Sequence, residues 1–293
     1  MAKSSKQKKR QRFESRPVSV CIDSSGLLRE LPAGQALEVA RTFAKSGHYG
    51  PAAELAVAVA NQVPEFAYPL NLAADCYLRL PDLLAAEKAI DAALGMDKTD
   101  WSTLRAQASL FRQLDRYDEA ISVLTKAIKM HPRNEVLYEN FGNLWAEIGD
   151  YEKAAHSYSA ALKCNPQATA VMRLKTDLPG VVLSAREVAA AEKMLRSADI
   201  SHAHRCNLHF AIAQTSQQAG NFDAQIQHLH AANTAYRATL HYDVAHESTI
   251  LEFVRSSFKA SFYSSKHEHQ QRGAGLIFIV GMPRSGSSLV EQI

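Results

Sequence analysis

Hydrophobic and small residues between positions 33 and 168 recur with a period of 34 residues. Pairs that fall one period apart are Tyr117 and Tyr151, Ala120 and Ala154, Ala127 and Ala161, and Pro132 and Pro166. The frame extends towards the N-terminus and defines four units without gaps, which are 33–66, 67–100, 101–134 and 135–168. A fixed period of this size indicates a repeat protein, in which each unit packs mainly against its neighbours.

Within each unit, the apolar spacing predicts two amphipathic helices joined by a turn near the fifteenth position. That position holds Gly47, Pro81, Asp115 and Gly149. Small residues at the eighth and twentieth positions let the two helices approach closely; they are Ala40 and Ala52, Ala74 and Ala86, Ala108 and Ala120, and Gly142 and Ala154. Bulky residues at the eleventh position are expected to fill the gap between units; they are Phe43, Tyr77, Phe111 and Trp145.

This pattern resembles the tetratricopeptide repeat, and the unit 135–168 is the best match. Its matching residues are Gly142, Gly149, Tyr151, Ala154, Ala161 and Pro166. The departures in other units are Lys98 where Pro is usual, Pro81 in a turn, and Val59 at a normally small position. The resemblance implies an all-α fold over most of the chain, an α-solenoid that curls into a superhelix with a concave surface.

The repeat frame is lost after Gln167. We interpret 169–205 as a helical connector, in which Ser184 and Glu187 form a capping box ahead of an apolar run. A degenerate fifth repeat and a capping helix are predicted over 206–260. The residues that match the fifth repeat are Ala213, Gly220, Phe222, Ala224 and Ala231. The polar segment 261–275 is predicted to be a linker.

The concave surface of a repeat solenoid is where partners usually bind. Side chains of the first helices that should line it are Asn71, Asp75, Arg105, Arg112, Glu139 and Asn143. Their charges are of mixed sign, which favours a protein or peptide partner and not nucleic acid. For any one of these residues, a solvated helix face is an equally good explanation.

The net charge of +3 conceals a basic N-terminus, because six Lys and Arg residues and no acidic residue lie within the first twelve. We interpret 1–30 as a basic, disordered tail. It is not followed by the apolar core of a secretory signal, and no run of 18 apolar residues predicts a membrane span. The four cysteines are far apart and form no Cys-x-x-Cys pair, which favours reduced, mostly buried thiols in a cytoplasmic protein.

Nine of the twelve histidines lie between His202 and His269. Several are two residues apart, but no His-x-x-x-His pair is present to place two imidazoles on one helix face. We therefore expect surface or packing histidines and no metal site. Trp101 and Trp145 fit core positions of the repeats and are assigned no ligand.

The segment 276–293 reads LIFIVGMPRSGSSLVEQI and predicts a buried strand, a Gly-containing turn and the start of a helix. Such a turn aims backbone N–H groups at one point, so that it favours a phosphate or sulfate. The two glycines keep the spacing of a nucleotide-binding loop, but Ser287 stands where the Lys of a triphosphate site belongs. Kinase or ATPase chemistry is therefore not expected.

This loop is similar to the phosphosulfate-binding loop of sulfotransferases that use 3′-phosphoadenosine 5′-phosphosulfate (PAPS), where Pro-Arg-Ser-Gly-Thr-Thr is usual. The whole chain looks like bacterial proteins that place tetratricopeptide repeats ahead of such a domain, a group related at the loop to tyrosylprotein sulfotransferases. The resemblance implies that Arg284 and the loop bind PAPS without a metal and that Arg284 acts in catalysis. The implied binding residues are Arg284, Ser285, Gly286, Ser287 and Ser288.

Only the first strand, loop and helix start of that P-loop-like α/β domain fall within 276–293. A single strand has nothing to pair with, and the general base expected of the family is not among these residues. We therefore expect a chain truncated early in the sulfotransferase domain and inactive by itself. Two functions stay open: a PAPS-dependent sulfotransferase whose repeats recruit the hydroxyl-bearing acceptor, possibly a protein tyrosine, or a partner, and a non-catalytic repeat scaffold that binds proteins.

Overall fold

A computed structural model of the chain describes residues 11–21, 28–240 and 244–258. The chain divides after Thr239 into two units. The described part of the first unit is mainly helical, with one antiparallel strand pair between a short helical segment at 11–14 and the helices that follow. The predicted linker 261–275 and the predicted loop 276–293 lie outside the described residues.

Four helix pairs follow one another in the region of the predicted repeats. They are α1 (Ala33–Lys45) with α2 (Tyr49–Gln62), α3 (Tyr68–Arg79) with α4 (Leu83–Met96), α5 (Trp101–Gln113) with α6 (Tyr117–Met130), and α7 (Glu135–Ile148) with α8 (Tyr151–Cys164). The second helices begin at residues 49, 83, 117 and 151, which are 34 residues apart. The period predicted from the sequence is therefore confirmed by the helix bounds.

The small residues predicted between paired helices are buried in all four units. Those of α2, α4, α6 and α8, namely Ala52, Ala86, Ala120 and Ala154, are each 0% exposed. The bulky eleventh residues are half-buried, and Tyr77 packs against the apolar clusters on both sides of α3. Burial of apolar surface between successive pairs is thus what holds the array together.

The turn between the paired helices requires a left-handed backbone. Gly47 and Gly149 have φ of 81° and 91° at the fifteenth position of their units. Asp115 takes the same region at φ 56°, where a Cβ costs free energy that glycine avoids.

A β-hairpin covers the N-terminal end of the array. Strands β1 (Pro17–Cys21) and β2 (Leu28–Pro32) pair antiparallel, with Val18 opposite Leu31. Val18 and Val20 are 2% and 1% exposed within the apolar cluster of α1 and α2. The Gln62 side chain accepts a hydrogen bond from the Ser19 N–H and donates one to its C=O, both at 2.8 Å.

The prediction of a disordered tail over 1–30 is therefore wrong for these strands. The alternation of Val18 and Val20 with exposed neighbours makes a half-buried strand, and this strand covers apolar surface that an end unit would otherwise expose. Residues 1–10 lie outside the described part of the chain.

The predicted connector forms two helices, α9 (Thr169–Thr176) and α10 (Ala185–Leu195). The capping box is confirmed: the Glu187 N–H donates to Ser184 Oγ at 3.3 Å, and the Ser184 N–H donates to Glu187 Oε2 at 2.8 Å. Glu187 also accepts from Lys175 Nζ at 2.9 Å, and this pair is nearly buried, with side chains 10% and 17% exposed. The ion pair ties α9 to the beginning of α10.

The predicted fifth repeat corresponds to the helix pair α11 (His202–Gln218) and α12 (Phe222–Arg237), joined by Gly220 at φ 71°. The register predicted for α12 is wrong by one residue. Ala232 is 0% exposed, whereas Ala224 and Ala231 are only half-buried. Counted from the turn glycine, Ala232 is the equivalent of Ala161, so that Ala232 and not Ala231 faces the paired helix.

In the second unit, the structure describes Leu240 and residues 244–258, which contain helix α13 (Val244–Ser257). Its large apolar side chains Ile250, Leu251, Phe253 and Val254 are exposed. Among the described helices of the chain, none is long and apolar enough to cross a membrane.

None of the four cysteines, all of which lie in the described part of the chain, forms a disulfide. Cys76 and Cys206 are buried, whereas Cys21 is exposed and Cys164 is half-buried, so that the prediction of mostly buried thiols holds for two of them. Burial, with the nearby charge of Asp75, raises the pKa of Cys76 to about 11. That thiol therefore stays protonated and unreactive.

Candidate functional site

The first helices of the four repeats surround an open cavity of about 700 Å³, which we call the inner groove. Its lining comes from α1, α3, α5 and α7, with Tyr49 added from α2. Of the residues predicted to face the concave surface, the structure places Asp75, Arg105, Arg112, Glu139 and Asn143 in this lining. These residues lie on three successive repeats, which the solenoid brings side by side.

Two ion pairs connect adjacent repeats across the inner groove. Arg105 Nη2 lies 2.6 Å from both carboxylate oxygens of Asp75, and so joins α5 to α3. Arg112 Nη1 lies 2.7 Å from Glu147 Oε2, and so joins α5 to α7. These half-exposed pairs contribute little stability on their own, but they fix the two guanidinium groups within the groove.

The prediction for Asn71 is wrong, because its side chain belongs to the protein interior. Asn71 is 6% exposed. Its Nδ2 donates to Asp100 Oδ2 at 2.9 Å, and its Oδ1 accepts from Thr103 Oγ1 at 2.8 Å. Asp100 is also the N-cap of α5. Asn71 therefore attaches α3 to the N-terminus of the next repeat and does not line the groove.

Three cations of the inner groove were not among the predicted residues: Arg41, Lys45 and Arg79. With Arg105 and Arg112 they make five cations in the lining, against the two carboxylates of Asp75 and Glu139. The lining therefore contains charges of both signs, as expected from the sequence, but its cations outnumber its carboxylates. The sequence contains a signal for this excess, because Lys45 and Arg79 place a cation at the thirteenth position of two successive units.

Arg41, Lys45 and Arg79 differ in whether they form an ion pair within the described residues. Arg41 Nη1 pairs with Glu38 Oε2 on its own helix at 3.1 Å. Lys45 and Arg79 are exposed, and neither has a carboxylate within ion-pair distance in the described part of the chain. The ammonium group of Lys45 and the guanidinium group of Arg79 are thus available to a ligand in the groove.

Glu139 is the least solvated carboxylate of the lining. Burial raises its pKa, the charge of Glu135 raises it further, and Arg105 opposes the shift. Nearby, Asn143 Oδ1 accepts a hydrogen bond of 2.7 Å from the hydroxyl of Tyr158. The α7 side of the groove is consequently acidic and partly occupied by intramolecular contacts.

The fifth helix pair contains a histidine–histidine hydrogen bond that was not predicted from the sequence. Nδ1 of His209 on α11 lies 2.9 Å from Nδ1 of His228 on α12. Burial lowers the pKa of both rings; the proximity of His228 and Arg205 adds to the shift at His209, and Glu192 opposes it at His228. The two histidines are nineteen residues apart across a turn, so that no local spacing rule detects them.

No group of three or more His, Cys, Asp or Glu side chains that could hold a metal ion occurs among residues 11–21, 28–240 and 244–258. The predicted PAPS-binding residues, Arg284 to Ser288, lie outside these ranges.

Comparison with protein families identifies the repeats. The family described as tetratricopeptide repeat matches residues 105–170, which cover most of the third and fourth units. An uncharacterized protein of Aquifex aeolicus (strain VF5) is 21% identical over 175 residues, which make up 60% of this chain and 23% of that protein. The match thus spans less than a quarter of the relative.

Solved structures similar to this chain include two bacterial proteins. One is a thermophilic TPR protein of Thermus thermophilus, with 17% identity, coverage of 68% of this chain and 97% of the other, and a TM-score of 0.48. Another is PilF of Pseudomonas aeruginosa, with 15% identity, coverage of 67% and 87%, and a TM-score of 0.48.

Proposed function

We propose that this chain, whose repeats are tetratricopeptide repeats, is a scaffold that binds an extended segment of a partner protein in its inner groove. The observation that carries the proposal is the open cavity of about 700 Å³ formed by the first helices of successive repeats. A cleft of this size can enclose several side chains of a bound segment.

The polar lining suits a polypeptide. Ser109, Gln113 and Asn140 present hydroxyl and amide groups in the groove. The amide nitrogens of Gln113 and Asn140 each donate to a backbone carbonyl of the protein, and their amide oxygens and the Ser109 hydroxyl can bind a peptide backbone. Arg105 and Arg112 are held by their ion pairs, so that part of the surface is ordered before a partner binds. Such preorganisation reduces the entropy lost on association.

The test uses a steric block that leaves the charge unchanged. Peptides are first selected by display against the purified chain, and their affinities are then measured for two variants. Ser109→Tyr fills the groove, and Ala92→Tyr adds the same bulk on the exposed surface of α4. We expect the first variant to weaken binding about tenfold or more and the second to leave it unchanged. Equal affinities for both variants, with unaltered melting temperatures, would contradict the proposal.

A second proposal rests on the sequence of the loop in 276–293. The motif Pro-Arg-Ser-Gly-Ser-Ser supports PAPS-dependent transfer of a sulfuryl group to a hydroxyl acceptor such as a protein tyrosine. In that reaction the acceptor oxygen forms a bond to sulfur while the bond between sulfur and the bridging oxygen of PAPS breaks. A general base takes the acceptor proton, and Arg284 stabilises the developing negative charge. A cytoplasmic location in a bacterium agrees with such an enzyme and stays a prediction.

This second proposal is tested by equilibrium binding of labelled PAPS to the chain. Arg284→Ala should abolish the binding, whereas Lys266→Ala, which removes a cation from the predicted linker, should not. Equal binding by both variants would exclude the loop as the PAPS site. The scaffold proposal does not depend on this result.

A further inference from the structure

The charge of the inner groove is distributed unevenly along the repeats. The thirteenth positions of the four units hold Lys45, Arg79, Gln113 and Glu147. At this position the charge therefore changes from positive in the first two repeats to neutral in the third and negative in the fourth. The third repeat also contributes Arg105 and Arg112 to the lining, but both are neutralised by ion pairs. Arg41 adds to the positive end, and Glu139 adds to the negative end.

Two cations at the positive end, unlike Arg41, have no ion pair among the described residues. Arg105 and Arg112 are engaged by Asp75 and Glu147 at 2.6 and 2.7 Å. By contrast, Lys45 and Arg79 are exposed and have no ion pair among the described residues. An anionic ligand can bind to these two without first breaking a contact within the protein.

We infer that the half of the inner groove formed by the first two repeats takes an acidic segment of the partner protein. The inference rests on the proposed scaffold function and adds the chemistry of its ligand. Carboxylates of that segment lie near Lys45 and Arg79, and Arg41 attracts them from the same side. Charge-assisted hydrogen bonds to ammonium and guanidinium groups provide the specificity.

The negative end sets the limit of the acidic segment. Glu139 of α7 lines the groove and repels further partner carboxylates there, whereas Glu147 of the same helix is paired with Arg112. The bound segment should therefore be acidic over the first two repeats and neutral or basic where it passes the fourth. This polarity also fixes the direction in which a partner of uneven charge binds.

A polypeptide fits this surface better than nucleic acid does. A single strand carries a charge at every phosphate and gains much of its affinity from bases stacked on aromatic rings. The lining supplies one aromatic side chain, Tyr49, and its Asp75 and Glu139 would repel a continuous run of phosphates. An acidic peptide can instead place neutral residues opposite those carboxylates.

The experiment measures fluorescence anisotropy of labelled peptides of about 12 residues, which span roughly 40 Å when extended. One peptide alternates Glu with Ser, a second has Gln in place of Glu, and a third has Lys. Oligothymidylate of similar length represents nucleic acid. Each is titrated into the full chain, at low and at physiological salt, because exposed charge contacts weaken as salt rises.

Two double variants carry the test. Lys45→Gln with Arg79→Gln removes the two available cations of the groove. Lys88→Gln with Lys126→Gln removes the same charge from exposed positions on α4 and α6, outside the lining. We expect the Glu peptide to bind the groove variant about tenfold more weakly than the parent chain and the control variant within about twofold of it. The Lys45→Glu, Arg79→Glu variant should prefer the Lys peptide, a gain of binding that loss of folding cannot imitate.

Three results would overturn the inference and leave the scaffold intact: equal affinity for the Glu and Gln peptides, an equal loss in the groove and control variants, or tighter binding of oligothymidylate that depends on Lys45 and Arg79. A fourth result would also overturn only the inference of an acidic segment: none of the designed peptides binds, while display-selected peptides still bind and lose affinity in the Ser109→Tyr variant. Failure of the display-selected peptides as well would remove the scaffold proposal itself.

Discussion

The ring of Tyr158 occupies the space that a Cβ on Gly142 would need, because such a Cβ would lie 2.5 Å from Cε1 of the ring. Tyr158 is 2% exposed, and its hydroxyl donates to Asn143 Oδ1. Burial raises its pKa to about 12, with smaller contributions from Glu139 and Asp177, so that the phenol remains a donor. In the third repeat the equivalent residues are Ala108, which is larger than glycine, and Leu124, which is smaller than tyrosine.

This relationship predicts that Gly142→Ala destabilises the chain by about 1–3 kcal/mol, because the methyl group overpacks the helix contact. In an open helix position the same change is stabilising by up to about 1 kcal/mol, and Gly95→Ala, with no atom near its Cβ, is the matched control. Urea unfolding gives both values. Tyr158→Leu added to Gly142→Ala should recover part of the loss, and strict additivity of the two changes would argue against the contact.

The turns predict opposite effects for two substitutions at equivalent positions. Gly149→Ala places a Cβ at φ 91° and should cost about 1–2 kcal/mol, whereas Asp115→Gly relieves a side chain at φ 56° and should stabilise by a few tenths to about 1 kcal/mol. The Asp115 gain is reduced by loss of its hydrogen bond with the Tyr117 hydroxyl, at 3.1 Å. Tyr117→Phe measures that loss separately. Thermal unfolding measures both effects. If Gly149→Ala and Asp115→Gly shift the melting temperature in the same direction, the assignment of these turns is contradicted.

The His209 and His228 contact predicts a dependence of stability on pH. One ring donates and the other accepts, so that protonation of either ring places two donors face to face. The pKa of each ring is lowered in the folded state, and the unfolded chain therefore binds more protons as the pH falls. The contribution is fully present above the unfolded pKa of about 6.5 and is lost as the pH falls through the folded pKa values.

The free energy of unfolding, measured between pH 7.5 and pH 5, tests this dependence. His228→Gln should flatten the curve between these limits, because only one titrating ring remains in the contact. His230→Gln, a change at an exposed histidine of the same helix, should leave the curve as it is. Identical curves for the parent chain and the His228 variant would contradict the proposed linkage.

The Lys175 and Glu187 pair predicts a large loss when one partner alone is removed. Lys175→Met leaves the Glu187 carboxylate nearly buried without its cation, which should cost about 3 kcal/mol. Burial opposes ionisation of Glu187, but hydrogen bonds from Lys175 and Ser184 lower its pKa. The double variant Lys175→Met, Glu187→Gln removes the stranded charge and should regain much of the stability in denaturant unfolding. A double variant as unstable as the single one would contradict this explanation.

The repeats could be predicted because their signal is periodic. The burial of Ala52, Ala86 and Ala120 follows from a pattern that recurs every 34 residues, and the helix bounds agree with it. The hairpin was missed because two alternating valines next to a basic tail are too short a signal. Its burial depends on Leu37 and Val59, which are distant in sequence.

The groove could be predicted only in part. The position of a residue in the first helix of a repeat predicts which helix face it lies on, but it does not predict the rotamer of the side chain. Asn71 was assigned to the surface because Asp100 and Thr103, which hold it inside, lie 29 and 32 residues further along the chain. The excess positive charge was missed because the last turn of the first helix, with Lys45 and Arg79, was not included in the lining. In α12, the repeat frame counted from Gly220 leads to the buried Ala232, and the prediction departed from that frame by one residue when it assigned Ala231.

The central claim is that a protein segment binds in the inner groove, and photo-crosslinking tests it most directly. A display-selected peptide with a photoreactive side chain is bound to the chain, irradiated, and its attachment sites are identified by mass spectrometry. We expect attachment to α1, α3, α5 and α7, at or beside Arg79, Ser109 and Asn140, and much less attachment in the Ser109→Tyr variant. Attachment to the second helices of the repeats, or attachment that Ser109→Tyr does not reduce, would contradict the claim.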